Sequence, residues 1–309
     1  MSHLYYAVTL KDAPKYIFEG VDTNSDLICV PDFLVQPHGF LHRGLKFLLA
    51  GRVPLSGHLT EKITGNIGYQ WLTTLKPGDR LLLSGVVNLN TLRAVKWLTP
   101  KGVRRYQYFN NCLRFVLPQD QVAHRVKEMK AMGYELMTFD PEDAKEYGMT
   151  YTPQFYRFSA SGQEDICYDF FFCGMIKDRG ERLNTLKNKL ETNGYSYKFI
   201  VVDDSGKNSI SYEQYLDYVR KSRCLVDMFQ KGQVGLTRRP LEALFFDKKL
   251  LTENKQIADF DFYRKENTFI IGSDSWTNIN QFMNETDYVI VPDEVKQRYD
   301  VNQWLQYFK

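Results

Sequence analysis

The sequence predicts an α/β protein made of two domains, each built around an open parallel sheet. Three observations carry this prediction. Short, near-continuous apolar runs of the kind that form buried parallel strands alternate with amphipathic helical segments along the chain. A small, polar segment at 159–165 interrupts this alternation near the middle. The length of 309 residues accommodates two domains. We expect a first domain at 1–158, a second at 166–292, and a closing helix at 293–309 that packs back towards the first domain.

In the first half, strands and helices are read from apolar periodicity and from turn residues. The predicted strands are 4–9, 26–31, 80–85, 105–111 and 134–140, and 151–158 should be extended. The predicted helices are 40–49, 91–98, 119–132 and 141–147. Asn90 precedes the second of these helices and is the expected N-cap.

The second half repeats the alternation. Its predicted strands are 168–174, 198–204, 223–229, 250–252, 268–272 and 288–291. Its predicted helices are 181–192 and 212–221, the second of which Ser211 should cap. A short apolar helix should begin with Pro240 in its first turn and end at 247–249, and another segment, 276–284, lies between the last two strands. This arrangement is typical of a nucleotide-binding α/β domain.

Composition limits the class of protein. The net charge of +3 is too small to indicate nucleic acid as a partner, although the basic excess and all five histidines lie in the first half. The five cysteines are odd in number and form no C-x-x-C pair, which favours free thiols in a reducing cytosol. We find no signal-peptide pattern and no apolar run long enough to span a membrane.

One stretch, 235–254, has the chemistry of a phosphate site. It begins with Gly235 and Thr237, continues with Arg238 and Arg239, and enters a short apolar helix that carries Glu242. Free N–H groups and the positive end of a helix dipole suit a phosphate, and arginine binds phosphate bidentately. A carboxylate one turn further along is able to accept hydrogen bonds from ribose hydroxyls. The alternative is an ordinary helix with solvated charges.

A second positive loop follows the first strand of the second domain. Gly174 ends that strand, and Lys177 and Arg179 follow it. Ligands of open parallel sheets bind at the carboxyl ends of the strands, so both loops are expected to converge on one diphosphate. The alternative for these residues is a solvated turn.

These stretches resemble the donor domain of GT-B glycosyltransferases, which have two Rossmann-like domains facing a cleft. The nearest likeness is to bacterial enzymes of lipopolysaccharide core, capsule or exopolysaccharide synthesis. It rests on F-F-F-C-G-M-I-K-D-R, on the segment 211–229, on R-P-L-E-A-L…K-K-L-L-T-E-N, and on T-F-D-P-E-D-A before the domain crossover. The resemblance implies a nucleotide-sugar donor in the second domain and a saccharide or lipid-linked saccharide acceptor in the first. It also implies Glu242 as the ribose ligand.

The chain departs from the retaining members of that fold at one position. Those enzymes carry two glutamates eight residues apart, and Val234 stands where the first would be. The anomeric outcome therefore does not follow from the resemblance.

A catalytic base is expected in the first domain. Asp32, His38, His42 and His58 are the candidates, and the first three follow the carboxyl end of one predicted strand. No metal cofactor is expected, although Asp259-Phe260-Asp261 has a D-x-D spacing, because the resemblance implies positive side chains on the leaving diphosphate.

The basic, aromatic stretch 40–52 is consistent either with core packing or with peripheral contact with the inner face of a membrane. Two other functions stay open from the sequence. One is a nucleotide-sugar epimerase of the same fold, and the other is a non-enzymatic two-domain protein that binds a small molecule.

Overall fold

The computed structural model describes residues 2–7, 12–19, 21, 26–30, 70–157, 165–203 and 205–309. The chain divides into two compact units. The first unit comprises Met1–Pro153 and Leu305–Lys309, and the second unit comprises Gln154–Trp304. Within the described ranges, no helix is both long and apolar enough to cross a bilayer.

The first unit is organised around a parallel sheet of six strands in the order β2-β1-β3-β4-β5-β6. The strands are β1 (Leu4–Ala7), β2 (Leu27–Val30), β3 (Arg80–Ser84), β4 (Arg104–Phe109), β5 (Tyr134–Thr138) and β6 (Thr150–Tyr151). The helices are α1 (Asp12–Phe18), α2 (Leu89–Leu98), α3 (Leu113–Val116), α4 (Gln119–Ala131) and α5 (Pro141–Tyr147), with a 3₁₀ helix at Gln70–Thr74. The three leucines at 81–83 are fully buried, as expected for a central strand covered on both faces.

Two helices of this unit begin at a side-chain N-cap. Asp140 caps α5 by accepting from two backbone N–H groups, Pro141 opens the helix, and Gly148 ends it in the left-handed region. The helix α2 begins earlier than predicted, and the expectation that Asn90 caps it is wrong. Asn88 is the cap, because its side chain accepts from the N–H groups of Asn90 and Thr91 at 2.9 and 3.2 Å.

The second unit has a parallel sheet of five strands in the order β11-β10-β9-β7-β8. The strands are β7 (Tyr168–Met175), β8 (Tyr197–Val202), β9 (Ser222–Asp227), β10 (Lys249–Thr252) and β11 (Thr268–Ile270). The helices are α6 (Gly180–Thr192), α7 (Tyr212–Arg220), α8 (Arg238–Phe245), α9 (Asp293–Gln297) and α10 (Val301–Trp304). Ser211 caps α7 in a full capping box, as predicted. The prediction of two parallel-sheet α/β domains is confirmed.

The predicted strand at 288–291 is wrong, because this segment lies outside the sheet. The side chain of Asn267 takes the place of a strand partner: its amide donates to Val289 O at 2.7 Å, and its oxygen accepts from Val289 N at 2.8 Å.

The end of the chain is divided into three short pieces, α9, α10 and a 3₁₀ helix at Leu305–Phe308. Tyr156 interrupts the helix, since it accepts from Val301 N at 2.8 Å and donates to Tyr299 O at 2.9 Å. The last residues return to the first unit, where the buried Phe308 ring meets Tyr106 edge-on at 5.4 Å.

Candidate functional site

The order of strands in the second unit defines a switch point between β7 and β9. From β7 the chain moves to β8 on one side, and it then returns to β9 on the other side. The connections that follow these two strands leave a crevice between their carboxyl ends, where open parallel sheets bind ligands. Both positive loops predicted from the sequence follow these strand ends. We call this region the switch-point site.

Arg179 lies across the crevice. Its Nε donates to Met175 O at 2.9 Å and its Nη1 donates to Met228 O, so one guanidinium joins the loops after β7 and β9. The guanidinium lies 5.6 Å from the centre of the Phe172 ring. Gly174 leaves room for this arrangement, because a Cβ there would lie 3.3 Å from the Phe172 ring and 3.6 Å from Arg179 Nη2.

Arg239 is used internally. Its Nη2 donates to Cys173 O at 2.7 Å and its Nη1 donates to Val226 O at 3.3 Å, which ties β7 to β9 just before their carboxyl ends. Its Nε lies 3.3 Å from a carboxylate oxygen of Glu242, one helical turn away. Glu242 is only 3% exposed and also accepts a hydrogen bond from the buried Tyr215 hydroxyl. The role of Glu242 as ribose ligand therefore stays a prediction, since its carboxylate already has two partners.

Asp227, at the carboxyl end of β9, is a buried carboxylate that the sequence reasoning did not single out. It accepts from the Thr237 hydroxyl at 2.8 Å and from the Thr252 hydroxyl at 2.9 Å. Burial raises its pKa, while the two hydroxyls and the nearby Arg239 and Arg179 oppose that rise. The signal was available in the sequence, because Asp227 is the first charged residue after the apolar run C-L-V.

The switch-point site brings the Arg179 and Arg239 guanidiniums close together. Burial lowers the pKa of Arg179 and the neighbouring charge of Arg239 lowers it further, while the carboxylates of Asp227 and Asp178 oppose this lowering. Two guanidiniums that repel each other favour an anion between or beside them.

Further contacts fix the loops around the site. Asp178 accepts from Lys231 N at 2.8 Å, which links the loop after β7 to the loop after β9. Arg182 donates to Phe229 O at 3.0 Å and is paired with Glu253 after β10. Three strand ends are therefore connected through side chains, and of these five residues none was predicted from the sequence.

The beginning of α8 combines two features that suit an anion. Thr237 is the N-cap residue, yet its side chain caps no helix N–H, because its hydroxyl is directed to Asp227. The first N–H groups of α8 are thus left without a side-chain acceptor from this residue. Arg238 follows Thr237 and is half-buried. Its side chain has neither a hydrogen bond nor an ion pair with any residue that the structure describes.

Lys177 and Gly235 complete the predicted donor set. Lys177 is exposed and adopts a left-handed backbone with φ of 42°, which is uncommon for a non-glycine residue and often marks a functional turn. Gly235 is buried in the loop before α8. The structure therefore brings all eight predicted donor residues to one end of the second sheet, with Arg239 and Glu242 facing inward.

The candidate catalytic bases Asp32, His38 and His42 lie outside the described residues, as does His58. In the D-x-D stretch, Asp261 accepts from the Tyr299 hydroxyl at 2.7 Å and is paired with Arg298. Among the residues that the structure describes, no group of three or more His, Cys, Asp and Glu side chains is placed to hold a metal ion.

Comparison with known proteins finds similarity among solved structures. No family model matches the sequence, and no curated protein matches it. A search of solved structures finds a crystal structure of accessory secretory proteins 1, 2 and 3 in Streptococcus pneumoniae, with 11% identity and a TM-score of 0.46. The match covers 81% of this chain and 56% of that chain, so the chain spans little more than half the length of the protein that it matches. The case for a function rests on the residues of the switch-point site.

Proposed function

We propose that the chain is a glycosyltransferase that takes its sugar from a nucleotide-diphosphate sugar, with the diphosphate held at the switch-point site. One observation carries this proposal. The N-terminus of α8 has no side-chain cap, and Arg238 there has no hydrogen bond or ion pair among the described residues. Both follow the carboxyl end of β9, and Arg179 contacts the loop after the same strand through Met228 O. Helix N-termini and arginine forks are the groups that bind phosphates in parallel-sheet proteins.

The chemistry assigned to these residues is stabilisation of a leaving group. When the bond between the anomeric carbon and the diphosphate breaks, negative charge develops on the diphosphate oxygens. Positive groups fixed in advance at that position lower the barrier, because they need no reorganisation during the reaction. Arg238, Lys177 and the first N–H groups of α8 would supply this charge, and Arg179 would close on the diphosphate from the other loop.

Arg239 and Glu242 are given a supporting role in this proposal. Arg239 keeps the ends of β7 and β9 at a fixed separation, and Glu242 holds the Arg239 guanidinium in place. A contact between Glu242 and the ribose would require its carboxylate to exchange the Tyr215 hydroxyl for those of the ligand.

The resemblance of the sequence extends the proposal to finer points. A uridine nucleotide is the expected donor, and a saccharide or lipid-linked saccharide of a bacterial surface glycan is the expected acceptor. One of Asp32, His38 and His42 would take the acceptor proton, and no metal would be needed. The protein would work in the cytoplasm, in peripheral contact with the inner face of the membrane.

Nucleotide binding is the first test. Thermal unfolding of the full chain is measured with UDP, GDP, ADP and CMP, for the wild type, Arg238→Met and Arg125→Met, whose arginine lies on α4 in the first unit. A nucleoside diphosphate at 100 times its dissociation constant should stabilise the wild type by about 2.7 kcal/mol. Arg125→Met should keep this stabilisation, and Arg238→Met should lose most of it. If no nucleotide stabilises the chain, or if Arg238→Met responds as the control does, the proposed site is wrong.

Turnover is the second test. Release of UDP from a panel of UDP-sugars is followed with and without saccharide acceptors, and the sugar products are separated. Transfer or slow donor hydrolysis supports the proposal. Conversion of the donor to an epimer without any acceptor would assign the chain to the epimerases, and binding without turnover would assign it to the non-enzymatic binding proteins.

A further inference from the structure

A cavity of about 340 Å³ lies beside β11, the edge strand of the second sheet. The edge position sets it apart from the switch-point site. With neighbouring strands roughly 4.8 Å apart, β11 lies about 10 Å from β9 and about 14 Å from β7. Its volume falls at the lower end of the roughly 300–1,000 Å³ that is usual for small-molecule sites. The proposed glycosyltransferase activity makes no use of this cavity.

One wall of the cavity has an unusual backbone. Gln281–Glu285 forms a π-helix, closed by the hydrogen bond from Thr286 N to Gln281 O at 3.0 Å. Such helices are rare and are frequently found at functional sites. Here the π-helix supplies Gln281 and Phe282 to the lining, and Thr286 follows.

A buried lysine holds this wall in place. Lys249, at the start of β10, is 8% exposed, and its ammonium donates to Phe282 O and, at 2.6 Å, to Thr286 O. The ammonium also lies 4.7 Å from the centre of the Phe282 ring. Burying an ammonium costs free energy, and an apolar side chain would fill the position without that cost. The two hydrogen bonds of the Lys249 ammonium hold the backbone of the cavity wall at Phe282 and Thr286.

The polar lining favours a ligand with hydroxyl groups. Asn278 and Gln281 present planar amides, Glu266 and Asp274 present carboxylates, and Lys265 presents one ammonium. Amides donate and accept hydrogen bonds, and carboxylates accept them, so together they satisfy hydroxyls in both directions. The lining carries one net negative charge, which disfavours phosphates and sets this chemistry apart from that of the switch-point site.

The apolar part of the lining is aromatic. Phe269 and Phe282 line the cavity with 2% and 7% of their surface exposed, their ring centres lie 5.6 Å apart, and Trp276 packs on Phe269 at 5.4 Å. Polar hydroxyl-binding groups around a small apolar area match a sugar ring, which has apolar C–H faces and a polar edge.

We propose that this cavity is a binding site for a neutral saccharide of one or two sugar units, separate from the nucleotide site. A site of this kind would hold a glycan on the second unit independently of the donor nucleotide.

The test is saturation-transfer NMR on the full chain with four neutral probes: methyl α-glucoside, N-acetylglucosamine, lactose and maltose. The test variant is Asn278→Ala with Gln281→Ala. The matched control is Asn188→Ala with Gln256→Ala, which removes one amide of each type from exposed positions of the same unit, away from the cavity. UDP is added to occupy the nucleotide site, and spermidine serves as a cationic probe.

At least one sugar should bind saturably, with at least a tenfold loss of affinity in the test variant. The control pair should keep the affinity, and UDP should not displace the sugar. Because UDP binding is measured separately, failure here and failure of the proposed nucleotide site are distinguishable. The proposal is overturned if none of the four sugars binds at about 10 mM, which corresponds to less than roughly 3 kcal/mol of binding free energy. It is also overturned if the test variant binds as the control does, if UDP abolishes binding, or if spermidine alone gives the variant-sensitive signal.

Discussion

Arg238 and Arg239 are adjacent in the chain, yet substitution by methionine should change a different property of the protein at each position. Arg239→Met removes two hydrogen bonds to strand carbonyls and the ion pair with Glu242. The Glu242 carboxylate then stays 3% exposed without its cation. Arg238→Met removes a side chain that has no hydrogen bond or ion pair in the part of the chain that the structure describes. We expect a loss of stability from the first substitution and a loss of nucleotide binding from the second.

The magnitudes separate the two variants. Removal of one partner from a buried ion pair typically costs about 3–5 kcal/mol of unfolding free energy. A substitution at a partly exposed side chain without such contacts changes it by less than about 0.5 kcal/mol. The difference between Arg239→Met and Arg238→Met should therefore exceed about 2.5 kcal/mol, from the same two figures.

The assay is urea unfolding of the full chain, followed by circular dichroism and linear extrapolation. A third variant, Arg239→Met with Glu242→Gln, replaces the stranded carboxylate with a neutral amide. It should recover roughly 1–3 kcal/mol relative to Arg239→Met alone, because residues in contact are coupled by that order. Equal destabilisation by the two arginine variants would refute the reasoning, as would the absence of any recovery in the double variant.

Three further predictions concern Gly174, Asp178 and Asn88. Gly174→Ala places a Cβ 3.3 Å from the Phe172 ring, on which Arg179 packs. Nucleotide affinity measured by calorimetry should therefore fall about tenfold, or about 1.4 kcal/mol, while the unfolding midpoint hardly changes. The hydrogen bond from Lys231 N lowers the pKa of Asp178 below 3.8, so its stabilisation of the loop is complete above that pH and is lost as the pH falls through the folded-state pKa. Exchange protection of the Lys231 amide should fall with acid in the wild type and be low at every pH in Asp178→Ala; protection that is independent of pH would contradict this. Asn88→Ala should cost about 1 kcal/mol of unfolding free energy through loss of the helix cap, and an unchanged urea midpoint would show that Asn88 is not the cap.

The strands were predictable because a strand buried on both faces has a continuous apolar sequence. The runs around Leu81 and Phe171 are apolar without alternation, and both lie in central strands. The run at 288–291 is also apolar, yet an asparagine side chain satisfies the backbone of Val289 in place of a neighbouring strand. Composition alone cannot distinguish these cases, because the competing partner is a single distant side chain.

The roles of the two site arginines were beyond the sequence for a similar reason. Consecutive helix positions differ by about 100° in direction, so one arginine of the pair turns inward, but the pattern does not say which. The spacing from Arg239 to Glu242 is three residues and places both on one face of α8, which in retrospect indicates an internal pair. The partners of Asp227 come from the loop before α8 and from the end of β10, and only the fold brings Thr237 and Thr252 to it.

The backbone hydrogen bonds of Tyr156 with Tyr299 and Val301 bear on the order in which the two units fold during synthesis. Tyr156 and Val301 are hydrogen-bonded neighbours, so the second unit begins and ends at one place, like a domain inserted into a host. The first unit is the host, and its buried Phe308 follows the whole second unit in sequence. Domains usually fold in the order of their synthesis. Here the ribosome must synthesise the second unit before Phe308 is able to pack against the Tyr106 ring. The first unit is therefore the first to emerge and the last to be completed.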